Sequence, residues 1–300
     1  MEFLYSITEA FQDLSNNKIK KLSIINGIVW AFIWLVLGVV LYTPLLQFTK
    51  EMINLLPFTF VKVSGAEFIL MIIWLQSVLV TIGIFFALFN QILSKRFLSL
   101  LIVLVIAVIW GMFFWTYQSS FIFRLERLLK IFPFESIEEA VANVLAVFIF
   151  YSFYVASIYL SFLALSPKIL EELKQEQYPT IKTEKNFSIF KLSFLMIRDL
   201  LIFIIALFVL YPLLFVPFIN LVVIIVLWMF LIKASILEII FMVFGKEDIN
   251  KKNIYIFSIA SVLLNFVPII NLFAPAFGVL SVYHYIMELK VDKVDKVEKN

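Results

Sequence analysis

The chain contains no cysteine, which excludes disulfide frameworks, thiolate nucleophiles, thiolate zinc sites and iron–sulfur clusters. A single histidine, His284, leaves one candidate base for a Ser-His-Asp set and rules out a histidine-rich metal site. Charge is scarce: Asp, Glu, Lys and Arg make up 15% of 300 residues, and a net charge of +3 offers no basic surface for nucleic acid. With seven glycines and no Gly-x-x-x-Gly, close backbone-to-backbone helix crossings are sparse. No nucleotide loop, paired carboxylates or nucleophile arrangement is present either, so the sequence reads as neither an enzyme nor a cofactor protein.

What is abundant is apolar surface. Hydrophobic residues make up 63% of the chain, 35 of them Phe, and the mean hydropathy is +1.06. Runs such as Phe97 to Phe114 carry no charge, which is more apolar surface than a soluble globule of this size hides. These runs are continuous rather than alternating, so helices, and not barrel strands, are what satisfies the backbone in lipid. The fold class is all-α integral membrane. Met1 to Ser23 lacks a basic n-region and a small-residue cleavage site, so the first apolar run is expected to stay as an anchor.

Four runs are long enough to span a bilayer: 24–48, 66–94, 97–119 and 139–166. An aqueous, charged loop is expected over 167–191, and a solvated charged tail over 289–300. Between them Phe215-Val216-Pro217-Phe218-Ile219-Asn220-Leu221 recurs as Phe266-Val267-Pro268-Ile269-Ile270-Asn271-Leu272. Proline removes a backbone donor and asparagine is a good N-cap, so each copy marks one helix ending and another beginning. Arg198-Asp199, Lys233, Lys252 and Glu288 bound the flanking apolar arms. The arms then have about 12 to 17 residues, roughly 18 to 25 Å, short of a crossing. Residues 192–243 and 253–288 therefore read as two half-membrane hairpins with Pro217 and Pro268 at their tips.

Charge distribution agrees. With four spans and two returning hairpins, 18 of the 24 Lys and Arg fall on the face that holds both termini, and five fall on the other. The positive-inside rule makes that face cytoplasmic. Two segments have amphipathic spacing. Residues 1–16 place Phe3, Leu4, Ile7, Phe11 and Leu14 on one face, and Leu125, Leu128, Leu129 and Phe132 oppose Arg124, Arg127 and Lys130. The first lies on the membrane surface or packs as a connector, with nothing to choose between them; the second leans interfacial.

The paired Pro-x-x-Asn hairpins resemble the CysZ-type sulfate permeases, the family that also contains the etoposide-induced endoplasmic-reticulum membrane protein. The resemblance is clearest over about 190–290, through the Val-Pro hairpin, Trp228 on the returning arm, and Pro268, Asn271 and Ala274-Pro275. It implies long spans plus two half-membrane hairpins, and transport of sulfate or another small inorganic anion by a homo-oligomer among membrane lipids. Where the bacterial permeases carry a Gly-Leu-Arg-Arg-like sulfate-binding turn, this chain reads Lys18-Ile19-Lys20-Lys21-Leu22. The charge is kept, in Lys20 and Lys21, without the Arg fork. The pair 66–119 looks like an insertion relative to the family.

Candidate anion ligands are then Asn220, Asn271, Lys20, Lys21, Arg198 and Lys233. A half-helix starting inside the membrane offers free N–H groups to an anion, although Asn220 and Asn271 are equally what such a start needs to cap itself. Arg198 and Lys233, with Asp199 and Glu238 as counter-charges, line a path or snorkel at the headgroups, the arm lengths favouring the second. His284, between Tyr283 and Tyr285, reads as an interfacial belt residue ahead of a proton relay. The expected function is an anion permease or channel of a bacterial inner membrane, the composition being rich in Ile, Phe, Lys and Asn. The competing class is a non-transporting membrane scaffold.

Overall fold

The computed structural model describes residues 2–55, 70, 73–82, 96–129, 137–181, 188–215, 219–245, 249, 251–267 and 269–298. The protein is an all-α, multi-pass membrane protein. Its helices are α1 (Glu2–Asp13), α2 (Asn17–Leu55), α3 (Ile73–Ile82), α4 (Arg96–Leu129), α5 (Ile137–Gln177), α6 (Ile189–Leu210), α7 (Ile219–Phe244), α8 (Lys251–Leu264) and α9 (Ala274–Glu298). Short 3-10 turns, Tyr211–Phe215 and Ile270–Phe273, follow α6 and precede α9. Six helices (α2, α4, α5, α6, α7, and α9 with its preceding turn) are long and apolar enough to cross a membrane.

The long helices run past several positions where the sequence suggested an end. Pro167 lies inside α5 and cannot donate to the carbonyl of Leu163; the hydroxyl of buried Ser166 donates there instead, at 2.9 Å. The helix consequently continues to Gln177, and a helix resumes at Ile189, so both ends of the expected loop 167–191 are helical; residues 182–187 of it lie outside the described residues. The basic segment after Arg124 is no separate interfacial helix as far as Leu129, because α4 absorbs it; Phe132 lies outside the described residues. Of the expected span 66–94, Leu70 and the helix 73–82 are described. The tail is helical to Glu298.

The first hairpin departs most from its expected length. Its arms, of 22 and 26 residues, rise about 33 and 39 Å, beyond the roughly 30 Å of a hydrocarbon core. Arg198-Asp199 and Lys233, taken as the ends of the arms, lie inside them, because each charge finds a partner within the protein (below). The second hairpin keeps the short first arm: α8 has 14 residues, about 21 Å. The tip prolines Pro217 and Pro268 lie outside the described residues.

By compactness the chain divides into two units. One comprises residues 1–37, 151–209 and 225–300. Its most enclosed helix is α9, whose apolar window is 78% buried. Against α9 pack Phe244 of α7, beside Tyr283, and Phe257 of α8, beside Tyr285, both nearly inaccessible. Indoles and hydroxyls tie α2 to α5: Trp30 Nε1 donates to Ser161 Oγ at 2.8 Å, Trp34 Nε1 to Ser157 Oγ at 2.9 Å, and Asn26 Nδ2 to the Ile158 carbonyl at 2.9 Å. Such bonds replace the hydrophobic drive that lipid does not supply between helices. Gly278 lets α9 approach α8 closely, since a Cβ there would stand 2.7 Å from Ser261 Oγ.

The other unit comprises residues 38–150 and 210–224. Here Thr49 Oγ1 donates to the Ala142 carbonyl at 3.2 Å, Tyr42 bonds Asn143, and Trp110 Nε1 donates to Thr81 Oγ1 at 3.0 Å. Only 6% of the α4 window is buried, and its Leu104, Ile109, Met112 and Trp115 are exposed, as suits a lipid-facing helix.

Candidate functional site

Three polar constellations are built into the first unit. The first is a charged layer between α6 and α7. Arg198 Nε and Nη2 donate to Asp199 Oδ1 at 2.9 and 2.7 Å, and Ser235 Oγ, from the other arm, donates to Oδ2 at 2.5 Å. Asp199 is buried while Arg198 is partly exposed. Three charge-assisted hydrogen bonds offset the desolvation of the carboxylate, so the pair does not end the helix. Two residues before Ser235, Lys233 places its Nζ 3.3 Å from the ring centroid of Tyr255 on α8, a cation–π contact. Arg198 stands about 12 Å into its apolar window and Lys233 about 16 Å into its own, counted from the ends that share a side.

The second constellation supports the break between α8 and α9. Asn265 Nδ2 donates to Tyr159 OH at 3.1 Å, Tyr159 OH bonds Ser261 Oγ at 2.7 Å, and Ser261 Oγ donates to the Ala274 carbonyl at 2.6 Å. In parallel, Asn271 Nδ2 donates to Tyr151 OH at 3.2 Å, which donates to the Asn265 carbonyl at 2.6 Å. Both chains brace an irregular backbone from α5, as a helix break inside a membrane protein requires. Ile269 beside the break has φ 69°, a left-handed conformation that costs a β-branched residue on the order of 1 to 3 kcal/mol.

The third constellation surrounds His284. The imidazole is 1% exposed, with Nε2 2.9 Å from Asp13 Oδ2 and Nδ1 3.1 Å from Tyr178 OH. Gln177 Nε2 donates to Asp13 Oδ1 at 2.8 Å. Asp13 is the last residue of α1, and α1 packs along α9 through Ser6, Ala10 and Asp13, all buried and one or two turns apart. This face is not that of Ile7, Phe11 and Leu14; the side chains of Phe3 and Leu4 in that expected stripe lie outside the described residues. Small residues let α1 come close to α9, while half-exposed Phe11 reaches Phe277 with ring centroids 4.7 Å apart. Helix α1 packs along α9, and His284 is an interior residue of the protein. Burial raises the Tyr178 phenol above its ordinary range; burial and then Glu9 and Glu288 raise that of Tyr5.

The six candidate anion ligands are not brought to one place. Lys20 and Lys21 are exposed on α2, beside Lys18, which pairs with Glu172 at 2.9 Å. Asn220, in the second unit, is buried, and its Oδ1 accepts the Leu221 N–H at 2.7 Å, so it satisfies the start of its own helix. Asn271 caps no helix: it lies in the 3-10 turn and donates to Tyr151. Arg198 and Lys233 are the two that share a level on neighbouring helices. Among the described residues no hydrogen bond joins any two of the six, and no group of three metal-ligating side chains forms.

Sequence reasoning missed Asp13, Gln177, Tyr178 and Ser235 as site residues. Their signal was weak: Asp13, Gln177 and Tyr178 lie at helix ends and Ser235 inside an apolar run, each with a partner far away in the sequence. No family model, curated protein or solved structure matches the chain.

Proposed function

We propose that the protein is a permease or channel for a small inorganic anion, sulfate being the example that the resemblance names. The observation that carries this reading is the charged layer of Arg198, Asp199, Ser235 and Lys233, well inside two apolar helices. Ionisable groups at such depth are expensive and usually mark a solute path. Arg198 and Lys233 supply the attraction, and Asp199 keeps the resting layer close to neutral. Bacterial inner membrane, cytoplasmic termini and a homo-oligomeric assembly complete the proposal, supported by the composition, the lysine-rich termini and the sparse small-residue packing.

One specific observation favours the second reading, a non-transporting scaffold. Asn220 and Asn271, at the two hairpin tips, spend their side chains on the protein's own groups. Thermal unfolding of the purified protein in a series of sodium salts separates the two. The permease reading expects sulfate, or one anion of the panel, to raise the midpoint at millimolar concentration, and Lys233→Gln to abolish that rise. Equal midpoints in every salt for a well-folded wild type would leave the scaffold reading.

A further inference from the structure

We propose that Tyr5, Tyr178 and His284 form a proton relay into a buried proton-binding site, with Asp13 as counter-charge, that fastens α1 to α9 when His284 is protonated. The relay starts at water: Tyr5 is 44% exposed on α1, and its phenol interacts with that of Tyr178. The Tyr178 hydroxyl lies 3.1 Å from His284 Nδ1, and His284 Nε2 lies 2.9 Å from Asp13 Oδ2. The two inner links are hydrogen bonds, and the imidazole is 1% exposed.

The proton balance is simple. Neutral His284 donates from Nε2 to Asp13 and accepts at Nδ1 from Tyr178. On uptake, Tyr178 passes its proton to Nδ1, Tyr5 passes one to Tyr178, and water replaces the one on Tyr5. The imidazolium keeps both hydrogen bonds and converts the link to Asp13 from neutral–ionic to ion pair, which is stronger. Because Asp13 belongs to α1 and His284 to α9, the gain appears as tighter docking of α1.

The groups facing the ring are known from each neighbouring element. From α1 comes Asp13, with Tyr5 and Glu9 near the Tyr178 phenol; from the exit of α5, Tyr178, with Gln177 on Asp13; from α9 itself, Tyr283, with Glu288 near the two phenols. Helix α7 brings Phe244 against Tyr283, and α8 brings Phe257 against Tyr285. Both phenols remain protonated in the neutral range, so they relay protons without ionising. Tyr283 OH is buried without a hydrogen-bond partner and takes no part in the relay.

The inference stands apart from the permease reading, because every readout is made on the protein in detergent with no anion added. One histidine means that a nitrogen-15 histidine spectrum contains a single imidazole. Lowering the pH from about 9 to about 5 should convert that ring to imidazolium in the folded protein. Asp13→Asn, which removes the counter-charge, should abolish the pH response of α1 docking. Tyr5→Phe should slow exchange of the ring protons with water by about tenfold or more with the midpoint unchanged, an effect that a merely structural role would not produce. A spin label at Gln12→Cys, unique in a cysteine-free chain, should become less mobile as the ring is protonated. A ring that stays neutral across the range, an exchange rate that Tyr5→Phe leaves alone, or label mobility equal in both states would each overturn the proposal. Should Asp13→Asn fail to fold, the wild-type titration and Tyr5→Phe still decide it.

Discussion

Asp199 is a carboxylate among apolar helices, and its two oxygens share the work of keeping it there. Ser235→Ala removes the donor to Oδ2 and should lower stability by about 1 to 2 kcal/mol, read as a lower unfolding midpoint in detergent. Asp199→Ala strands Arg198 within an apolar window and should cost about 3 to 5 kcal/mol by the same measurement. Alkaline pH probes the other end of the molecule. The Tyr5 and Tyr178 phenols titrate above the ordinary value, so the folded state holds their protons more tightly than the unfolded state. Their contribution is fully present below about pH 10 and is lost as the pH rises beyond it; Tyr178→Phe should flatten that decline. At this scale the sequence was partly legible. Arg198 and Lys233 stood out as charges in apolar runs. The roles of Asn220 and Asn271 did not, because cap, anion ligand and interhelical donor are one amide chemistry until the partners are known.

Elements were easier to recognise than their ends. Every long apolar run that lies in the described residues is helical, but charges and prolines that looked like boundaries are internal to α5, α6 and α7. The reason is local satisfaction: Ser166 serves the Leu163 carbonyl that Pro167 leaves, and Ser235 reaches Asp199 from the neighbouring arm. Ser166→Ala should therefore cost about 1 kcal/mol and weaken the helix near Pro167, visible as faster amide exchange there. The arm lengths predict more. If α6 and α7 cross the bilayer, a lone cysteine at Leu213, exposed in the turn after α6, should react with an impermeant maleimide from the side opposite the termini. Labelling from neither side would return the first hairpin to the half-membrane form.

For the chain as a whole, the membrane class was legible in composition alone, and the interior was not. His284 and Asp13 lie 271 positions apart, and no local pattern links them. Glycine spacing likewise did not reveal how close α8 and α9 come. Gly278→Ala would set a methyl 2.7 Å from Ser261 Oγ and 3.1 Å from Ile236 Cδ1, so it should destabilise by about 1 to 3 kcal/mol. Gly38→Ala meets Phe150 at an ordinary 3.4 Å and should be neutral or stabilising, the helix gaining a better former. The central claim, an anion path at the charged layer, is tested most directly by uptake of labelled sulfate and a panel of other anions into liposomes holding the purified protein. The account predicts flux above empty liposomes for at least one anion, lost in Lys233→Gln with folding intact. Flux for none of them from well-folded wild-type protein, or equal flux in the variant, would contradict it.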